Sequence, residues 1–216
     1  MHAFLFDDGA ELTLVDTLYD TDGARILRQI EAIGRTPADL AHIVLTHAHR
    51  SHLGGLAALK RLTRATVYAH PWEADIIAGE REAQRVSLFP RRPYRTYVPF
   101  QAAAALGLGA HPPCPVDEHV TEGDRIGPLH VVDAPGHSPG HLAFWVPDHR
   151  LLLAGDAIAT WPAFLPGWGN FTLNQERHRR SLRRLAEHEP DILGVGHGDP
   201  IRADARARVR EIVNRV

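Results

Sequence analysis

The chain has 216 residues, a hydrophobic fraction of 44% and a formal net charge of -2. That is apolar material for a sizeable core in one domain spanning 1–216, and the charge balance gives no footing for nucleic acid or an anionic membrane. No apolar stretch reaches membrane-spanning length, no leader-like segment opens the chain, and the lone Cys114 rules out an internal disulfide, so a cytoplasmic protein is expected.

In chain order, residues 3–6 and 12–15 form a predicted β-hairpin around Asp7-Asp8-Gly9-Ala10, because Asp-Gly is a strong turn signal. The second strand ends on Asp16-Thr17. Ile26, Leu27, Ile30 and Ile33 recur at helical spacing before the stop signal Gly34. Thr36-Pro37-Ala38-Asp39 restarts the chain ahead of the apolar run Ile43-Val44-Leu45, a short buried strand. Next comes Thr46-His47-Ala48-His49-Arg50-Ser51-His52-Leu53-Gly54-Gly55, then a helix over 56–62. Residues 66–69 read as a strand and His70-Pro71-Trp72-Glu73 as a helix start. His70 lies at a strand end, where a lone histidine is more often structural than a ligand.

A Pro- and Ala-rich insertion at about 85–115 breaks the pattern, with Pro90, Pro93, Pro99, Pro112 and Pro113 and a small apolar helix at 102–106. It roofs a site, makes a homodimer contact, or is a surface excursion; the sequence leaves all three open. Residues 116–126 and 129–132 read as paired strands turning at Glu122-Gly123-Asp124. His137 sits in a loop stiffened by Pro135, Gly136, Pro139 and Gly140, and His141 opens the strand 142–146. Leu151-Leu152-Leu153 leads to Asp156, and Trp161, Phe164, Trp168 and Phe171 in the following Pro/Gly-rich loop suggest an apolar pocket wall. Thr172 to Gln175 has capping-box spacing. The helix behind it carries a solvated face of Arg177, Arg179, Arg180, Arg183 and Arg184, with Leu173, Leu182 and Leu185 turned inward. Ile192 to Val195 forms a strand before His197, and 202–216 a terminal helix with Val209, Ile212 and Val213 apolar. His42, His111, His119 and His149 are assigned to the surface.

Three histidines in six positions after one strand, and His137, Asp156 and His197 after three others, form a pattern. Strand ends that each deliver His or Asp point to a metal site in a cleft of an α/β protein. The order of these motifs over nearly the whole chain resembles the metallo-β-lactamase fold superfamily. The resemblance implies a four-layer αββα sandwich of two mixed β-sheets flanked by helices. It also implies that His47, His49 and His137 ligate a first metal, that His52 and His197 ligate a second, and that Asp156 bridges them, with Asp16 supporting from behind and His141 structural. Ser51 stands where the family's His-x-His-x-Asp-His motif has its Asp, the residue that orients the nucleophile and takes up a proton. That position places Ser51 with Asp156 among the catalytic candidates and predicts a weakened second site.

Such ligands suit Zn2+, one or two ions, and also Fe2+ or Mn2+. The resemblance, to the glyoxalase II-like and lactonase-like members, implies a hydrolase. Its metal-held hydroxide would attack an ester, thioester, lactone or amide of a small-molecule substrate. No nucleophile elbow or Ser-His-Asp arrangement competes with it. Two alternatives stand beside it: a mononuclear iron oxygenase acting on sulfur substrates, and a non-catalytic metal- or ligand-binding protein dulled by Ser51.

Overall fold

Side chains alternate across each strand, so a strand buried on both faces feeds two cores at once. The computed structural model describes residues 1–83, 94–107 and 109–215. One sheet runs β1 (Phe4–Asp7), β2 (Leu12–Val15), β3 (Leu40–Val44), β4 (Thr66–Ala69), β5 (Glu118–His119), with β1 antiparallel to β2 and the others parallel. The second runs β6 (Arg125–Ile126), β7 (Leu129–Asp133), β8 (Leu142–Val146), β9 (Leu151–Leu153), β10 (Ile192–Gly194), antiparallel except for β9 and β10. Both sheets are mixed, as the resemblance implies.

Three apolar clusters fill the three spaces between four layers. Leu12, Leu14 and Ile43 face the helices α1 (Ala24–Ala32), α2 (Arg50–Leu53), α3 (Leu56–Thr63) and α4 (Pro71–Ile77), through Ile26, Ile30, Leu53, Leu56, Leu59, Ile76 and Ile77. Val15, Val44, Leu129, Val131, Leu142, Phe144 and Leu153 meet between the sheets. The alternate residues Val132, Ala143 and Leu152 face outward onto Leu182, Leu185, Val209 and Ile212 of α6 (Gln175–Glu187) and α7 (Ala205–Asn214). Each fully buried Leu or Phe stabilises by about 1.5–3 kcal/mol relative to exposure.

The structure corrects several sequence expectations. The strand expected over 116–126 is two pieces in different sheets. Asp117 pins the first to β4 by accepting from Val67 N (2.8 Å) and pairing with Lys60 (2.6 Å), while the tight β6–β7 hairpin pairs Ile126 with Leu129. Glu122-Gly123-Asp124 does turn, but it carries the chain from one sheet to the other, because Val120 and Ile126 both bury between the sheets. Ile33, Leu62 and Leu173 are exposed at element ends. Thr172 does not cap α6; its hydroxyl donates to Trp168 O, and Asn174 is the cap, accepting from Arg177 N. His42 and His111 are half-buried, engaged with Glu11 (2.7 Å) and Ile77 O (3.2 Å). The arginines of α6 are exposed, as expected.

Part of the expected insertion, including Pro90 and Pro93, lies outside the described residues. The apolar helix expected at 102–106 starts earlier, as α5 (Tyr94–Ala105) with Pro99 inside it. Among the described residues, no helix is long and apolar enough to cross a membrane.

Candidate metal centre

Strand ends from both sheets open on one side of the sandwich, where α/β folds place ligands. β2 delivers Asp16, β3 the loop bearing His47, His49 and His52, β7 leads to His137, β9 to Asp156, and β10 to His197. His47, His49, His137 and Asp156 offer ligand atoms all within 4.8 Å of one another, and so do His52, Asp156 and His197. Asp156 belongs to both groups. His49 Nδ1 lies 2.9 Å from His47 Nε2 and 3.1 Å from His137 Nε2. Asp156 Oδ2 lies 3.8 Å from His47 Nε2, 3.7 Å from His137 Nε2 and 3.4 Å from His197 Nε2; its Oδ1 lies 3.4 Å from His52 Nε2. Gly196 is required here: a Cβ would come within 2.4 Å of Asp156 Oδ1 and 2.7 Å of His52 Cε1.

Behind these candidate ligands, Asp16 holds two imidazoles in the tautomer a cation would need. Its Oδ2 accepts from His52 Nδ1 (2.7 Å), which turns the lone pair of Nε2 inward. Its carboxylate also accepts from Thr46 N (2.9 Å) and Thr46 Oγ1 (2.9 Å), and that hydroxyl oxygen, 3.0 Å from His47 Nδ1, accepts the proton there. Asp16 adopts a left-handed backbone (φ 59°), which Asp and Asn tolerate better than most residues. His52 Nε2 and Asp156 Oδ1 are buried with no hydrogen-bond partner. Buried polar atoms so exposed to one another and to nothing else fit a bound cation.

Electrostatics agree with that fit. Burial, with the neighbouring imidazoles, holds His47 and His137 well below the usual histidine range. Burial lowers His49 to about 4 and His141 to about 3. These rings are therefore neutral, with lone pairs to give. Burial works against charging His52, but the carboxylates of Asp16 and Asp156 overcome it and raise the ring to about 10. Burial likewise opposes ionisation of Asp156, and His197 and His52 outweigh it, so the carboxyl stays well below its usual range.

A pH dependence follows for protein stripped of metal. Protonation of His47, His49, His137 and His141 costs stability as pH falls below the ordinary histidine value of 6.5, where the unfolded chain binds more protons. His52 acts oppositely: its contribution is complete below 6.5 and is lost as pH rises through about 10. Urea-unfolding midpoints of chelator-treated protein should therefore peak near 6.5 and fall on both sides. A midpoint rising steadily from neutral to alkaline buffer would contradict this balance.

The other expected residues divide. His70 does not join the centre; its Nδ1 caps α4 by accepting from Trp72 N (3.0 Å). His141 is structural, its Nε2 accepting from Asp156 N (3.1 Å). Ser51 is half-buried on α2 between His49 and His52, and supplies no carboxylate. The aromatic loop does form a wall: the Trp168 ring lies 4.5 Å from that of His197, and Phe171 5.8 Å from His49. Phe100 of α5 packs on Trp168 and Phe171 at 5.2 and 4.7 Å, which sets one residue of the expected insertion against the aromatic wall. Sequence reasoning missed His178, buried and bonded to Pro166 O (3.0 Å), and Glu73, buried and facing both ligand loops. Neither had a local signal, since each lies on a helix whose pattern the core explains.

The family model described as the metallo-β-lactamase superfamily matches residues 2–197. The chain belongs to that superfamily, whose members are mostly metal-dependent hydrolases. It is 30% identical to the probable metallo-hydrolase YqgX of Bacillus subtilis over 90% of this chain and 79% of that one. It is 28% identical to a hydroxyacylglutathione hydrolase (glyoxalase II) of Cereibacter sphaeroides over 89% of this chain, but spans only 60% of that enzyme. Among solved structures, TTHA1623 in a di-iron-bound form superposes with a TM-score of 0.68 at 28% identity, covering 96% of this chain and 92% of that one.

Proposed function

We propose that this chain is a metal-dependent hydrolase of a small-molecule ester, thioester, lactone or amide. The observation that carries the reading is the convergence of six side chains, with Asp156 common to both ligand groups. His47, His49, His137 and Asp156 would hold the first cation; His52, Asp156 and His197 would hold the second. A cation there lowers the pKa of a bound water towards 7 and polarises a carbonyl oxygen. The chain's own residues orient these parts: Asp16 and Thr46 fix the imidazoles, and Asp156 holds negative charge between the two groups. Trp168, Phe171 and Phe100 exclude water and favour a substrate with an apolar portion. Zn2+ suits the nitrogen-rich donor set, and the di-iron neighbour supports iron as the competing occupant.

The test is a thioester, lactone and phosphoester panel on zinc-, manganese- and iron-loaded protein, with His49→Ala as control. Hydrolysis lost in the control supports the reading; hydrolysis unaffected by it defeats the reading. Ser51 favours a second reading, because it leaves the second group with three donors: a mononuclear iron oxygenase of sulfur substrates. Oxygen uptake with a persulfide, in place of hydrolysis, would identify it.

The two sites should fill unequally. A neutral hydroxyl at position 51 adds no negative charge, so prolonged dialysis against chelator is expected to leave one equivalent of metal or less. Ser51→Asp should tighten the second equivalent by about tenfold or more, because an added inner carboxylate donor contributes at least as much as the outer partners whose loss costs about 10- to 100-fold. A calorimetric titration in which Ser51→Asp binds like the parent would show that position 51 does not face the second site.

A further inference from the structure

Among the described residues, one buried carboxylate remains that the proposed chemistry does not use. Glu73 lies in the first turn of α4 and is 2% exposed. Its Oε2 accepts from Ala48 N (3.0 Å), the amide between His47 and His49. Its Oε1 accepts from Gly140 N (3.2 Å) and from the Ser138 hydroxyl, in the loop that bears His137. Those loops belong to different sheets, so no strand ladder sets their spacing. A backbone bond from Leu142 N to Thr46 O (2.8 Å) joins them at the strand level, short of the ligands. Glu73 spans them at the ligand level.

The arrangement is costly unless it serves something. A buried carboxylate is stabilised only by the donors it finds. Arg81, whose charge acts on it, pairs with Asp75 at the surface (4.0 Å). An apolar residue in the same space would avoid the desolvation cost. The loop is also shaped to reach the carboxylate: a Cβ on Gly140 would come within 3.0 Å of Glu73 Cγ and 2.7 Å of His70 Nδ1.

We propose that Glu73 is a positioning residue that clamps the His47–His49 loop to the His137 loop and thereby sets the geometry of the first cation site. The proposal rests on the metal-site reading above. Hydrogen bonds to an ionised acceptor are about twice as strong as neutral ones, and a carboxylate alone can accept from both loops through both oxygens. Glutamine cannot: whichever way its amide turns, an NH2 group faces either the Ala48 N–H or the Gly140 N–H, and that backbone donor loses its acceptor. Glu73→Gln therefore opens one side of the clamp at nearly constant volume.

The experiment compares wild type, Glu73→Gln, Ser138→Ala and His49→Ala, each stripped and reloaded with Co2+. It reads three quantities: Co2+ affinity at the first site by chelator competition, the visible ligand-field spectrum, and the urea midpoint of the metal-free protein. Glu73→Gln is expected to lose about 10- to 100-fold in affinity and to shift the spectrum. Ser138→Ala, which removes one of three donors at nearly constant volume, should lose about threefold. A purely structural role would lower the metal-free midpoint and leave affinity and spectrum unchanged, and that result overturns the proposal. Should Glu73→Gln fail to fold, Ser138→Ala decides alone: unchanged affinity and spectrum overturn the clamp. If His49→Ala also binds like wild type, the metal-site reading has failed; if His49→Ala loses Co2+ while the clamp variants do not, only the clamp has failed.

Discussion

Replacing Asp156 with alanine is expected to empty both cation positions at once, with metal retention and hydrolytic rate each falling by more than about 100-fold. Loss of an outer partner alone costs about 10- to 100-fold, and Asp156 would be an inner donor to both groups. Its Oδ2 is within 3.8 Å of three imidazoles and its Oδ1 is the partner His52 Nε2 faces. Removing it leaves five buried or half-buried imidazoles with no anion among them, so two cations would repel across the gap without compensation. Metal analysis after gel filtration, run beside the parent, checks this. Retention of one full equivalent would mean that Asp156 serves one site only.

Asp16→Asn separates the two sites. Asparagine keeps the volume and tolerates the left-handed backbone at φ 59°. Its carbonyl can still accept from Thr46 N, which turns its NH2 towards His52 Nδ1. Nδ1 must then accept, and the proton moves to Nε2, the atom that faces Asp156 and would hold the second cation. Second-site affinity is expected to fall about 10- to 100-fold, with the first site much less affected. Titration calorimetry resolving two events would check it; equal weakening of both events would place the effect in the loop as a whole.

The ligand loops are legible in the sequence because chemistry and local structure coincide there. An apolar run such as Ile43-Val44-Leu45 ends, and His47, His49 and His52 follow before a Gly-Gly elbow. The same holds at His137, Asp156 and His197, and the fold class follows from their order. What the sequence conceals is tertiary. Residues 116–126 read as one strand because Val120 and Ile126 are both apolar, yet they bury in the same central layer from different sheets. His70 sits at a strand end like the true candidates, but its ring is taken by the Trp72 amide. Glu73 looks like an ordinary first-turn acid on a helix, where a carboxylate is favoured by the dipole. Only the packing of α4 against both ligand loops gives it another meaning. The aromatic wall shows a clear signal in Trp168 and Phe171, but the contribution of Phe100 arises from a distant helix.

All of this depends on a cation lying where the imidazole lone pairs meet. Anomalous diffraction from crystals of the zinc-loaded protein, recorded on both sides of the metal edge, locates it directly. A peak about 2.0–2.1 Å from His47 Nε2, His49 Nδ1 and His137 Nε2 is the expected result. Zinc bound elsewhere on the chain, with no peak among those three nitrogens, would contradict it.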